Sequence, residues 1–273
     1  MKPVAFDIVR AGSIAEATRI LAEANGSARL VAGAQSLGPM LNLRLAQPRI
    51  LVDITGIPEL TRIEDAADAV TIGACVTTAN IEDGRLPGRG LQAMADIAAH
   101  IAYRAVRNRG TIGGSLCHAD PSADWVSTLY ALGAECIIAS GQNRRRLPAD
   151  QFVTGAYENA LGPHEMLEAI RVPRLSAQAR CGYYKVCRKV GEFALAIGAV
   201  LQDRERSQFR LVIGATKGRP IVIPDMRELS RAGNTLDHGA LAAVFDRHGI
   251  VDRIDRRQKI AAVERAYALA VSS

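Results

Sequence analysis

The chain has 273 residues, 48% of them hydrophobic and 23% charged, an ordinary globular balance with room for two domains. No apolar run approaches the length of a membrane span and the N-terminus lacks a signal-peptide hydrophobic region, so the expectation is a cytoplasmic chain with no span. A net charge of +6 with only 4% aromatic residues makes nucleic acid a poor partner, because base-stacking platforms are scarce.

Residues 6–10 read as a strand. Ser13-Ile14-Ala15-Glu16 is a capping box, and Ile14, Ala17, Leu21 and Ala24 recur at helical spacing, which predicts a helix over 14–25 stopped by Gly26. A strand over 29–32 follows and runs into Ala32-Gly33-Ala34-Gln35-Ser36-Leu37, small residues whose backbone is able to embrace an anion. Next come a helical turn over 39–45, a buried strand over 50–54, and a hairpin of 61–64 with 70–73 across the acidic turn 65–68. Helices are predicted over 77–81 and 91–101, the second with Leu91, Met94, Ala95 and Ala98 on one face.

The stretch 107–125, Arg-Asn-Arg-Gly-Thr-Ile-Gly-Gly-Ser-Leu-Cys-His-Ala-Asp-Pro-Ser-Ala-Asp-Trp, has two halves. Gly110, Gly113 and Gly114 remove the Cβ at three positions and allow a sharp turn close to a bulky ligand. Asp120 and Pro121 read as the N-cap and first residue of a helix running to Gly133. Taken alone, the stretch is open to two readings: a cradle of backbone N–H groups for a phosphate or flavin edge, or a tight strand-to-helix connection. Neither small-residue stretch is a Gly-x-Gly-x-x-Gly fingerprint, and the chain has no P-loop. With hydroxyls at Ser36, Thr111 and Ser115, the two together fit one long diphosphate ligand held from two sides.

Strands over 136–139, 145–148 and 166–172 follow. Arg144-Arg145-Arg146 reads as the solvated part of a hairpin or a partner-facing patch. A boundary is expected at 173–176, after which the pattern restarts with strands over 183–188, 193–201 and 209–213, the last alternating Phe209, Leu211 and Ile213. Helices over 236–248 and 259–270 close an α+β segment. Cys75, Cys117, Cys136, Cys181 and Cys187 contain no Cys-x-x-Cys pair, which argues against a disulfide framework and against an iron–sulfur cluster here. His118 beside Cys117 and Asp120 reads as structural rather than as a metal ligand, and no nucleophile elbow or triad is present. With no catalytic residue or metal site to assign, any hard chemistry is expected to lie in a cofactor.

The two stretches also carry a family likeness. Residues 32–39 match an Ala-Gly-Gly-x-Ser-Leu-x-Pro turn with Ala34 in place of the second glycine, and 43–54 match Leu-Arg-Leu-Ala-x-Pro-x-x-Leu-Val-Asp-Ile. Residues 110–124 match Gly-Thr-Ile-Gly-Gly-Asn/Ser…Ala-Asp-Pro-x-Ala-Asp, and 183–194 approximate Tyr-x-Lys…Arg-x-Gly-Asp-x-Ala with Glu192 for Asp. The chain thus resembles, over nearly its whole length, the FAD-binding medium subunit of the molybdenum-containing hydroxylases, the group that includes carbon monoxide dehydrogenase and xanthine dehydrogenase. The resemblance implies an α+β fold: a two-part FAD-binding domain of the vanillyl-alcohol oxidase/PCMH type over 1–175, dividing near 56, then a small α+β domain over 176–273. It implies FAD held by Ala32, Gly33, Ala34, Gln35, Ser36 and Leu37 from one side and by Thr111, Ile112, Gly113, Gly114 and Ser115 from the other. Asp120 and Asp124 join that set, Asp124 accepting from a ribityl or adenosine hydroxyl. Leu167 packs near the flavin ring, Lys185 reaches back toward the cofactor, and Phe193 shields a ring face. A small [2Fe-2S] subunit and a large molybdopterin subunit are the implied partners, in a dimer of heterotrimers, with those cofactors confined to the partners. The alternatives are a stand-alone FAD-dependent oxidase of the same superfamily and a ligand-sensing module without flavin. If the first turn needs a positive φ at position 34, alanine is strained there.

Overall fold

A computed structural model describes residues 2–88, 91–231 and 235–271. β1 (Asp7–Arg10), β2 (Ala28–Val31) and β3 (Ile50–Asp53) form a parallel sheet in the order β1-β3-β2, connected through α1 (Ile14–Glu23) and α2 (Leu37–Asn42). Ser13 Oγ accepts from Glu16 N at 3.2 Å as the box predicts, while Glu16 Oε2 reaches one residue past the cap and accepts from Gly12 N at 2.7 Å. Ile14, Ala17 and Leu21 then pack on Ala28, Val52 and Ile54. The Gly33 turn leaves the carboxyl end of β2, the edge at which open α/β sheets take ligands.

The second unit runs through α3 (Pro58–Thr61), β4 (Ile63–Asp65), β5 (Ala69–Gly73), α4 (Thr78–Glu82), α5 (Gln92–Ala99), α6 (Arg104–Arg107), α7 (Ile112–His118) and α8 (Asp124–Ala131). It continues with β6 (Glu135–Ser140), β7 (Asn143–Pro148), α9 (Ala149–Phe152), β8 (Val153–Gly155), β9 (Glu158–Asn159) and β10 (Met166–Pro173). Its antiparallel sheet has the order β4-β5-β10-β6-β7, and Ile72, Met94, Ile112, Leu116, Trp125 and Ile170 share its core. In the β6–β7 hairpin, Arg144 pairs with Glu168 and Arg145 with Glu165, so two of the three arginines are spent inside the chain.

The third sheet, β11 (Arg180–Val186), β12 (Ala196–Asp203), β13 (Gln208–Gly214) and β14 (Ile221–Ile223), is antiparallel. A 3-10 turn (Met226–Leu229), the short pair β15 (Ser230–Arg231) and β16 (Thr235–Leu236), α10 (His238–Arg247) and α11 (Arg253–Val271) complete the described chain. The alternation of Phe209, Leu211 and Ile213 suggests a half-buried strand, yet Val212 between them is buried too. Both faces of the sheet are covered. Leu211 and Ile213 pack with Val263 of α11, whereas Val212 and Ala199 join the core of the second unit. Gly214 makes that second contact possible, since a Cβ there would lie 2.1 Å from Ser127 Oγ on α8.

Two local expectations are corrected. The helix predicted to open at Pro121 begins at Asp124, because Asp120 Oδ1 accepts from Ser122 N at 2.8 Å and closes a separate turn ahead of the extended Ala123. The Gly113-Gly114 segment is the first turn of α7 rather than a sharp reversal, with Thr111 Oγ1 capping Gly114 N at 3.0 Å. Among the described residues no helix is long and apolar enough to cross a membrane.

Candidate functional site

After β2 the chain turns through Gly33–Ser36 with Ala34 left-handed, at a φ of 58°. Gln35 Nε2 donates to the Gly33 carbonyl at 2.9 Å and Gly38 N to the Ala34 carbonyl at 2.8 Å. The amides of Gly33, Ala34, Gln35 and Ser36 donate to no acceptor among the described residues, and Ser36 makes no side-chain capping bond at the start of α2. Four successive free N–H groups at a left-handed turn form a concavity suited to an anion.

The second stretch lies directly against this turn. A Cβ at Gly33 would sit 2.0 Å from the Arg109 carbonyl oxygen, and one at Gly110 would sit 3.7 Å from Gln35 Cγ. Only glycine at 33 permits that approach. The loop is anchored by Arg107, whose guanidinium reaches Glu82 at 2.7 and 2.8 Å and the carbonyls of Ile101 and Ala102 at 2.9 and 3.0 Å. Arg107, opposed by desolvation and helped by Arg104, holds the Glu82 carboxyl below the usual carboxylate range. Thr78 N donates to the Gly110 carbonyl at 2.8 Å, completing the seat.

Within α7 the backbone donors are already used. Ile112 N reaches the Val76 carbonyl at 3.1 Å, Gly113 N the Ala74 carbonyl at 3.0 Å, and Ser115 N the Thr111 carbonyl at 3.0 Å. This side of the site therefore offers hydroxyls and a close-packed surface, not the free amides that a glycine turn suggests. A Cβ at Gly113 would fall 2.5 Å from Ala74 Cβ, so that glycine serves packing against the chain itself. At the end of α7 the His118 ring lies 5.3 Å from that of Tyr157, and the Asp120 charge raises the Tyr157 pKa. Among the described residues no group of three His, Cys, Asp or Glu is placed to hold a metal.

Asp124 opens α8 and is 8% exposed. Its Oδ1 accepts from Tyr183 Oη at 2.5 Å and lies 2.8 Å from Lys185 Nζ, both on β11. Lys185 Nζ also donates to the His100 carbonyl at 3.0 Å. The Lys185 side chain is only 6% exposed, which removes the reading of it as a surface lysine. Burial first, then the neighbouring Asp124 charge, pushes the Tyr183 phenol well above its ordinary pKa. Leu167 is buried in the core shared with Ile112 and Leu116, beside an irregularity in β10, whereas Phe193 stands 75% exposed on the loop before β12. Sequence reasoning passed over Tyr183, Arg107 and Glu82. For Tyr183 the signal was available, since residues 183 and 185 of a strand share a face. Burial drives the thiols of Cys75 and Cys117 to about 12 and that of Cys181 to about 11, and it raises Cys136 as well.

A parallel and an antiparallel sheet, with two small-residue stretches in contact and a run of free amides on the first, suit a protein that holds a diphosphate-bearing cofactor. The chain belongs to the family described as the FAD binding domain in molybdopterin dehydrogenase, whose model matches residues 4–175. It is 33% identical to the nicotine 6-hydroxylase medium subunit of Paenarthrobacter nicotinovorans, over 97% of this chain and 100% of that one. It is 37% identical to the carbon monoxide dehydrogenase medium chain of Hydrogenophaga pseudoflava, over 75% of this chain and 71% of that one. A solved carbon monoxide dehydrogenase from H. pseudoflava superposes with a TM-score of 0.87 at 30% identity, covering 100% of this chain and 99% of its counterpart. Quinoline 2-oxidoreductase from Pseudomonas putida 86 gives 0.83 at 28% identity, over 100% and 99%. The chain is thus an oxidoreductase component, of one kind with the FAD-bearing medium subunits of molybdenum hydroxylases.

Proposed function

We propose that this chain carries the flavin of a heteromeric molybdenum hydroxylase, taking electrons from the iron–sulfur clusters of a small subunit and delivering them to an external acceptor. The molybdopterin and its substrate chemistry belong, in this reading, to a large subunit, and the assembly is a dimer of heterotrimers. The observation that carries the reading is the contact of the Gly33 turn with the 109–110 backbone, on a turn whose four successive amides and Ser36 hydroxyl are unused among the described residues. Such a nest at the carboxyl edge of a parallel strand suits a diphosphate. A bound flavin would supply a two-electron store able to exchange electrons singly.

The residues of the chain then divide the work. Ala32 to Leu37 bind the diphosphate through backbone and the Ser36 hydroxyl, while Thr111 to Ser115 close the other side by shape and hydroxyls. Asp120 and Asp124 hold polar groups of the cofactor, Leu167 backs its ring, and Lys185 brings positive charge to it, where a cation favours the anionic reduced form. The division into residues 1–175 and 176–273 is part of this proposal, supported by the family match ending at 175.

The purified chain, with and without added FAD, is passed through gel filtration and its absorption spectrum recorded. Retained flavin bands are expected, and a chain that retains none overturns the proposal. In anaerobic mixing the isolated chain should leave its flavin oxidised in the presence of purines, aldehydes, carbon monoxide or N-heterocycles. Substrate-driven reduction by this polypeptide alone would favour the stand-alone oxidase.

A further inference from the structure

Tyr183 makes a contact that the glycine stretches do not account for. Its ring packs against the core of the second unit, and its phenol has one proton to give. That proton goes to Asp124 Oδ1 at 2.5 Å. Lys185, two residues along the same strand face, comes within 2.8 Å of the same oxygen. Among the described residues none donates a hydrogen bond to Oδ2. Burial raises the phenol's pKa further above its ordinary value, which favours the donor form.

Asp124 is buried at the first position of α8, and its two oxygens are told apart only by the donors that each one meets. Lys185 alone does not do this, because an ammonium is a compact donor that settles between two carboxylate oxygens as readily as on one. A phenol held by its ring is directional. With Tyr183 and Lys185 both on Oδ1, Oδ2 is left as an acceptor.

We infer that Tyr183 is a positioning residue for the bound cofactor: by fixing Asp124 through Oδ1 it presents Oδ2 to a hydroxyl of the ligand's polyol chain or ribose. This rests on the FAD reading above. The phenol also makes the C-terminal sheet part of the site, since the carboxylate on α8 is oriented by a strand more than fifty residues downstream. Without the phenol, Lys185 can engage both oxygens, and a ligand hydroxyl must then displace part of an ion pair.

The test uses the full chain freed of flavin and titrates it with FAD and, separately, with ADP, following flavin fluorescence or its displacement. Tyr183→Phe keeps the ring and its packing while deleting the donor. It should weaken FAD binding about tenfold or more, the size of one hydrogen bond to a charged acceptor. In an Asp124→Ala background the same change should move the FAD Kd by less than about twofold, because the residue acts through the carboxylate. The ADP arm says which hydroxyl is read: an unchanged ADP Kd points to the polyol chain, a parallel loss to the adenosine ribose. A Tyr183→Phe protein with a lowered melting point but unchanged Kd for both ligands overturns the inference, as does a loss that persists without Asp124. A wild-type chain that binds no FAD fails the functional proposal instead, and the two failures are distinguishable.

Discussion

At Ala34 the φ of 58° brings the Cβ against the backbone carbonyl, at a cost of about 1–2 kcal/mol for an L residue. The turn keeps this conformation because Gly33 is pinned on the Arg109 carbonyl and Gly38 N closes back on residue 34. Ala34→Gly removes the clash but adds freedom to the unfolded chain, which offsets about 0.4–1 kcal/mol of the gain. The expected net is a stabilisation of about 0.5–1 kcal/mol, read as a higher urea midpoint. Ala34→Val, branched at the crowded atom, should move the midpoint the other way. If both variants melt with the wild type, the turn is not strained.

Among the elements, the α4–α6 clamp decides how the second stretch is held. Glu82 titrates below the ordinary value of 4.5 in the folded chain, chiefly because Arg107 donates two hydrogen bonds to it. A carboxyl whose folded pKa is depressed lends stability that is present above its unfolded pKa and is lost as pH falls through the folded one. Unfolding free energy should therefore drop as the pH is lowered from about 5 to about 3, and Glu82→Gln should flatten part of that slope. At neutral pH the same variant should cost about 1.5–3 kcal/mol, one charge-assisted interaction. A wild-type slope retained in full by Glu82→Gln would assign the acid sensitivity to other carboxylates. Elements of this kind differ in how far the sequence discloses them. The box at Ser13 and Glu16 is local and was legible. Asp120-Pro121 was not, because an aspartate before proline caps a helix or closes a turn equally well, and the extended Ala123 decides for the turn. The helix at Gly113-Gly114 was hidden by two poor helix formers, whose first turn is held by carbonyls of Ala74 and Val76 forty residues away. The seat of Gly33 on Arg109 likewise needs a closure across more than seventy residues, which no local pattern records.

For the whole molecule, the C-terminal sheet is an inner layer rather than an appendage. Val212 and Ala199 belong to one core, Val200, Leu211 and Ile213 to the other, so neither core can open without exposing β12 and β13. Unfolding should be concerted across the two antiparallel sheets that share these cores. Gly214→Val forces a side chain into the space of Ser127 and should cost about 1–3 kcal/mol by overpacking. Trp125, the single tryptophan, is buried on α8 close to this contact, so its emission and the far-UV circular dichroism should shift together. Two separated transitions, or an unchanged midpoint, would mean that the sheet docks loosely.

The buried thiols bear on how such motions could be watched. At pH 8 the sulfurs of Cys75, Cys117, Cys136 and Cys181 remain protonated and poorly nucleophilic, held so by the apolar matter around them. Cys187, partly exposed just past the end of β11, lies outside that set. A maleimide dye should label Cys187 ahead of the other four, which peptide mapping of the labelled chain checks. A fluorophore attached there would sit at the end of the strand that carries Tyr183 and Lys185, with no cysteine needing to be engineered in or out.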